Sequence, residues 1–200
     1  MAITSNVSQF LGKIQSGVKP NMFLVDLQFP ANHPDNPQGD EKDLVDLLCK
    51  SAGIPAANMG VVEVPFRGRV VKIAGDRTFD NWSVTFINDR DMKIRSFMER
   101  WLETLNSHEG NVSDLFLPNN GSGYTADLKV KQLERDGNVN GTVIREYTFK
   151  DAFPTSVSQI DLAYDANDQI EDFTVDFQYQ YWEVLSNGDG TSNKTLPVEG

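Results

Sequence analysis

Residues Val70–Ile87 read VVKIAGDRTFDNWSVTFI. In the second half Trp82, Val84 and Phe86 fall on one side of the chain, while Asn81, Ser83 and Thr85 fall on the other. That two-residue period is the mark of a strand with one face buried. Val70–Ala74 predicts a preceding strand, and Gly75, Asp76 and Arg77 stand where the chain is expected to bend. Glycine accepts positive φ and aspartate favours turns. On physics alone the segment is two strands of an all-β domain joined by a charged surface turn.

Working upstream, Val61–Ala74 predicts one long strand or two broken ones, with a bend or bulge at Pro65 and Gly68. Arg67, Arg69, Lys72 and Arg77 gather here in an otherwise acidic chain. They suit a salt-bridge seam to an acidic neighbour and a solvated strand face equally well. Ala52–Gly60 is a loop of small residues around Pro55. Asp43–Ser51 fits a helix through Leu44, Leu47 and Leu48, and a strand through Val45, Leu47 and Cys49; its shortness favours the strand. Pro30–Asp40 is a proline-rich loop. Met22–Phe29 alternates Phe23, Val25, Leu27 and Phe29 as a strand. Residues 4–17 predict a short helix capped by Ser5 and ended by Gly17, with Val7, Phe10, Leu11 and Ile14 on one stripe. A helix this short is marginal alone, so its stripe must dock on its own domain or on a neighbouring subunit.

Downstream, residues 88–106 predict the clearest helix. Asn88 or Asp89 caps it, and Ile94, Phe97, Met98, Trp101, Leu102 and Leu105 form an apolar stripe facing a sheet. After a loop over Ser107–Gly123, strands are expected at Tyr124–Leu133, Thr142–Ala152, Ser158–Tyr164 and Phe173–Trp182, with turns at Asp136–Gly141 and Asp165–Asp168. Phe153 and Pro154 are expected to end the second of these. Residues 184–200 lack any period and predict an exposed arm after one domain over residues 1–183. The expected fold is mainly β: an antiparallel sandwich or barrel with one flanking helix.

The chain has 200 residues, 10% aromatic, and a formal net charge of −11. Such a balance repels polyanions and excludes nucleic-acid binding through the general field, because phosphate neutralisation needs Lys and Arg. The single cysteine, Cys49, allows no intrachain disulfide and fits synthesis in a reducing compartment. The first residues lack the basic and apolar blocks of a signal peptide, and no apolar run is long enough to anchor the chain in a membrane.

No motif predicts chemistry. His33 and His108 fall in loops outside any ligand-spaced cluster, so no metal is expected. Asp165, Asn167, Asp168, Glu171 and Asp172 resemble a calcium loop only faintly, without its glycine and terminal glutamate at the right spacing; a structural turn is the better reading. A glycosidase-type carboxylate pair is generic to any acidic chain. Tyr179, Tyr181 and Trp182 do not form one sugar-stacking strip, because alternation puts Trp182 on the opposite face.

Four segments, in order, resemble the tail tube protein family of contractile-tailed bacteriophages: KPNMF at Lys19–Phe23, AGDRTFDNW followed by VTFIND over Ala74–Asp89, FPTSV at Phe153–Val157, and FTVDFQYQYWE ending at Glu183. The Pro30–Asp40 loop, the Asn111–Gly123 loop and the arm after Glu183 depart from the family's pattern. The resemblance implies a β-sandwich or barrel subunit that forms hexameric rings, stacked into a tube inside a contractile sheath. It implies assembly in the host cytoplasm and residence in the virion tail. The implied partners are the chain itself, the sheath, tape measure, baseplate and tail terminator proteins, and DNA passing through without specific binding. No catalysis and no cofactor are implied. Six copies at −11 carry about −66 before screening, so a carboxylate-lined lumen would repel DNA rather than grip it.

Asp161, Asp172 and Asp176, on the polar faces of the last expected hairpin, are candidates for that lining. Asp76, Arg77 and Asp80 are candidates for a subunit contact, against an internal salt bridge as the equal alternative. The Ala52–Gly60 loop and the N-terminal helix are candidates for ring stacking. Two other functions stay open at this point: the tube of a phage-derived injection or secretion machine that carries no DNA, and a carbohydrate-binding β-sandwich.

Overall fold

The computed structural model describes residues 7–14, 17–30, 33, 37, 39–108, 110, 123–134, 142–165, 167 and 169–186. Among the described residues three helices, α1 (Val7–Ile14), α2 (Asp40–Leu47) and α3 (Lys93–Leu105), accompany nine strands. The strands are β1 (Phe23–Leu27), β2 (Cys49–Ala52), β3 (Asn58–Phe66), β4 (Arg69–Thr78), β5 (Trp82–Ile87), β6 (Ala126–Glu134), β7 (Thr142–Val157), β8 (Asp172–Gln178) and β9 (Tyr181–Ser186). Seven of them run antiparallel in the order β1-β6-β7-β8-β5-β2, with β9 also paired to β7; β3 and β4 form a separate two-stranded sheet. The expected antiparallel β-sandwich is what the chain builds.

Strand β7 joins the two layers. Its first part pairs with β6 and β9, and Phe153–Val157 pairs with β8. Asp151, at φ 52°, marks the change. The inner faces meet in one core: Val25, Leu27, Leu128, Val130 and Phe149 from one layer, Trp82, Val84, Phe86, Phe173, Val175 and Phe177 from the other. Trp82 stacks on Phe149 with ring centroids 4.3 Å apart. The expected alternation of Trp82, Val84 and Phe86 is therefore correct, and their register partners on β8 are Phe177, Val175 and Phe173. Helix α3 closes the core with Ile94, Phe97, Met98 and Trp101. It starts later than its capping residue, because Met92 sits at φ 52° and the Asp89 carboxylate accepts the Lys93 and Ile94 N–H groups at 3.2 Å each.

Several boundaries differ from expectation. Asp43–Ser51 is not a strand: α2 occupies Asp40–Leu47 and only Cys49–Ala52 is extended. The helix places Val45 in the core with Leu44 and Leu48 against it, and leaves Leu47 80% exposed. Its Asp46 accepts the Leu27 N–H at 3.0 Å, and Lys42 bridges Asp46 at 3.1 Å and Asp26 at 2.6 Å, which ties α2 to β1. Burial raises the Asp26 pKa, but Lys42, Lys131 and Lys129 outweigh it and the net shift is downward. For Asp46 burial wins over the same lysine and the shift is upward.

The bend expected at Gly75–Arg77 lies elsewhere: β4 runs through these residues to Thr78, and the link to β5 is Phe79–Asn81. Pro154 does not end β7. It sits at a register shift opposite Phe177, where the missing N–H is tolerated. Ser158–Tyr164 is not a strand: Ser158 exchanges hydrogen bonds with Thr174, and among the described residues no ladder continues from it. The final strand breaks at Tyr179–Gln180, and β9 takes Glu183–Ser186 from the end of the expected domain and the start of the expected arm. Residues 187–200, the turn expected at Asp136–Gly141 and the whole of 111–122 lie outside the described residues.

Candidate functional site

Three surfaces are candidates for function. The first is the outer face of β5 and β8. The alternation that buries Trp82, Val84 and Phe86 turns Ser83 and Thr85 outward, and β8 does the same with Asp172, Thr174, Asp176 and Gln178. Asp176 accepts hydrogen bonds from Ser83 Oγ at 2.5 Å and Ser156 Oγ at 2.8 Å. The Thr85 and Thr174 hydroxyls meet at 3.1 Å. Asp172 pairs with Lys50 of β2. The result is a flat polar wall with few exposed cations. Of the three aspartates expected on such a wall, Asp172 and Asp176 are on it. Asp161 is not, since its segment is a loop, where it accepts from Gln159 at 3.2 Å.

The second surface is the β3–β4 hairpin. It turns at Arg67 (φ 45°) and Gly68 (φ 81°), the paired positive φ angles of a tight hairpin. Val62, Val64 and Phe66 lie across from Ile73, Val71 and Arg69. Met59, Val61, Val62, Val64, Phe66, Val70, Val71 and Ile73 are each 42–60% exposed. Isolated two-stranded hairpins are marginal in water, and a patch of apolar side chains this long is the signature of an interaction surface. Near the root a bulge sets Gly60 against Gly75: a Cβ on Gly75 would lie 3.1 Å from the Gly60 carbonyl carbon, so these backbones approach as only glycines allow. The expectation that Gly75 marks a turn mistook a close approach for a bend. The turn itself falls at Gly68, where a bend or bulge was expected with Pro65, and it makes Val61–Ala74 two strands.

Asp76 and Arg77 are exposed on β4, and Asp80 follows it. Among the described residues no ion pair joins Arg77 to either aspartate. Asp80 instead accepts the Asn58 side-chain amide at 2.5 Å, tying the two arms together at the root.

The third surface comprises helix α1 and the β7–β8 loop. The α1 stripe Val7, Phe10, Leu11 and Ile14 is 47–71% exposed, so it does not dock on its own domain. The loop curls around an open groove of about 770 Å³ that includes Ile160, Leu162 and Ile170. Leu162, Tyr164 and Ile170 project from it at 77–109% exposure.

Burial pushes the Cys49 thiol up to about 12, beyond reach as a nucleophile at neutral pH. His33 is buried among Phe29, Phe97 and Trp101, with Nε2 2.8 Å from the Phe97 carbonyl oxygen. Among the described residues no three His, Cys, Asp or Glu side chains are grouped to hold a metal ion, and no helix is long and apolar enough to cross a membrane.

The chain is thus an antiparallel β-sandwich with a polar outer face and a hairpin that leaves apolar side chains exposed. Comparison with known proteins gives the family. Residues 18–185 match the phage tail tube protein family, and the chain belongs to it. It is 30% identical over 165 residues to the tail tube protein gp19 of Enterobacteria phage T4, covering 82% of this chain and 90% of that one. It is 28% identical over 178 residues to the tail tube protein of Serratia phage KSP90, covering 88% and 94%. Among solved structures, the tube-terminating cap of the anti-feeding prophage shares the fold, with a TM-score of 0.59 at 17% identity over 93% of this chain and 99% of that one. The family is a structural one, and its members are components of the virion tail.

Proposed function

We propose that this chain is the protomer of the inner tube of a contractile phage tail. Six copies close a ring, rings stack into a hollow conduit, and the conduit delivers DNA into the host without reacting with it. The observation that carries the proposal is the β3–β4 hairpin, whose two faces a single copy leaves in water, in a chain of the tail tube family. An exposed apolar patch of this kind marks an interaction surface, and in a homo-oligomer its partner is another copy. The polar wall of β5 and β8, with Asp172 and Asp176, is our assignment for the lumen lining. Carboxylates there keep phosphates in transit from binding, in keeping with the net charge of −11. The outer surface meets the sheath, and the tube ends meet the baseplate and tail terminator proteins, with a tape measure protein inside during assembly.

Negative-stain microscopy of the purified protein tests this: rings and long hollow tubes are expected, and a persistent monomer at high concentration contradicts it. Asp76, Arg77 and Asp80 are proposed at the subunit contact. Arg77→Ala is expected to abolish tubes while leaving the monomer's melting temperature unchanged. A lowered melting temperature would return Arg77 to a role inside its own chain.

A further inference from the structure

The hairpin and the β7–β8 loop leave the same pair of strands at opposite ends. In the β5–β8 register Trp82 lies opposite Phe177 and Ile87 opposite Asp172. The hairpin joins β5 just before Trp82, and the loop joins β8 just before Asp172. The two projections are thus separated by the length of β5, roughly 20 Å.

They are also complementary. The hairpin carries the chain's basic cluster, with Arg67 and Arg69 at its tip and Lys72 and Arg77 along β4, all exposed. Between Ser158 and Asp172 the sequence holds four acidic residues and no Lys or Arg. Asp161, Asp165 and Glu171 are exposed there beside Leu162, Tyr164 and Ile170. Phe66 next to Arg67 offers the hairpin tip the same pairing of apolar body and charge, and the Arg67 guanidinium already lies 5.4 Å from the centre of the Phe66 ring.

We propose that the hairpin tip of one copy seats in the β7–β8 loop groove of a second copy, head to tail along the β5–β8 direction. The inference rests on the tube reading and deepens it by naming the two surfaces that join. A contact between different surfaces at opposite ends of a subunit is heterologous, and where its rotation does not close a ring it propagates as a stack. Opposite charges set the partner and its register, and the apolar side chains are what the contact buries.

Charge reversal tests it. Arg67→Glu with Arg69→Glu, and separately Asp161→Lys with Asp165→Lys, are each expected to abolish tubes while the circular dichroism melt stays that of the unmodified protein. The chain carrying all four substitutions is expected to form tubes again. Tubes that survive either pair, or that stay lost in the fourfold variant while the unmodified protein makes them, overturn the pairing and leave the tube reading standing. Absence of tubes from the unmodified protein overturns both.

Should a reversed chain fail to fold, crosslinking decides. In a Cys49→Ser background, Phe66→Cys with Leu162→Cys is expected to give a ladder of disulfide-linked chains longer than dimers on oxidation of the assembled protein, and either cysteine alone none. Bands no larger than dimers would overturn the head-to-tail contact.

Discussion

Strands β4 and β5 are three residues apart in the sequence and live in opposite environments. In β5, Trp82, Val84 and Phe86 are buried against β8 and α3. In β4, Val70, Val71 and Ile73 are about half exposed, and among the described residues β3 is their only strand partner. Composition does not separate them, since both are rich in the residues that favour extended chain. Alternation does. In β5 Ser83 and Thr85 separate the three buried apolar residues, whereas apolar side chains appear on both faces of the β3–β4 ribbon. The single-faced strand is finished within its own chain; the two-faced ribbon needs a partner on each side. One chain therefore carries two kinds of hydrophobic surface, one that folds it and one that it leaves exposed, which we assign to contacts between copies.

That contrast breaks most easily at the core. Phe177→Ala removes a fully buried ring that touches Trp82 and Trp101, and is expected to destabilise the monomer by about 3–5 kcal/mol in denaturant titrations. A smaller effect is expected where α2 meets β1. The Asp26 pKa is lowered from 3.8 in the folded chain, so its contribution is present above that value and lost as pH falls through the lowered one. The stability difference between the unmodified protein and Asp26→Asn is expected to shrink between about pH 5 and pH 2. A difference that grows over this range would contradict the assignment. The smallest effect on folding belongs to the hairpin. Val62→Ser, Val64→Ser and Ile73→Ser together are expected to change monomer stability by no more than about 0.5 kcal/mol each while preventing tube formation. A large loss of monomer stability would mean that the hairpin packs on its own domain.

Where one face is buried the sequence was informative. β1, β5, β6, α3 and the inner residues of β8 follow from period alone. The misplacements have common causes. Ile160, Leu162 and Tyr164 alternate as a strand would, but periodicity does not say whether a neighbour exists to pair with. Asp43–Leu48 satisfied both periods, and the choice was made by tertiary contacts: Val45 in the core and Asp46 on the Leu27 amide. Pro154 and Gly75 looked like stops and are tolerated inside strands at register shifts. For the candidate surfaces, period placed Asp172 and Asp176 on a polar face, while Asp161 depended on a strand that does not form. The apolar face of α1 was legible, but its remaining undocked was not.

Amide hydrogen exchange, compared between dispersed monomer and assembled tube, tests the central claim most directly. The account predicts that the exposed hairpin amides of Val61–Phe66 and Val70–Ile73 exchange rapidly in the monomer and become strongly protected on assembly, while those of β5 and β8 are protected in both. Hairpin amides that exchange equally fast in the tube would show that copies of the chain leave this surface uncovered, and would contradict it.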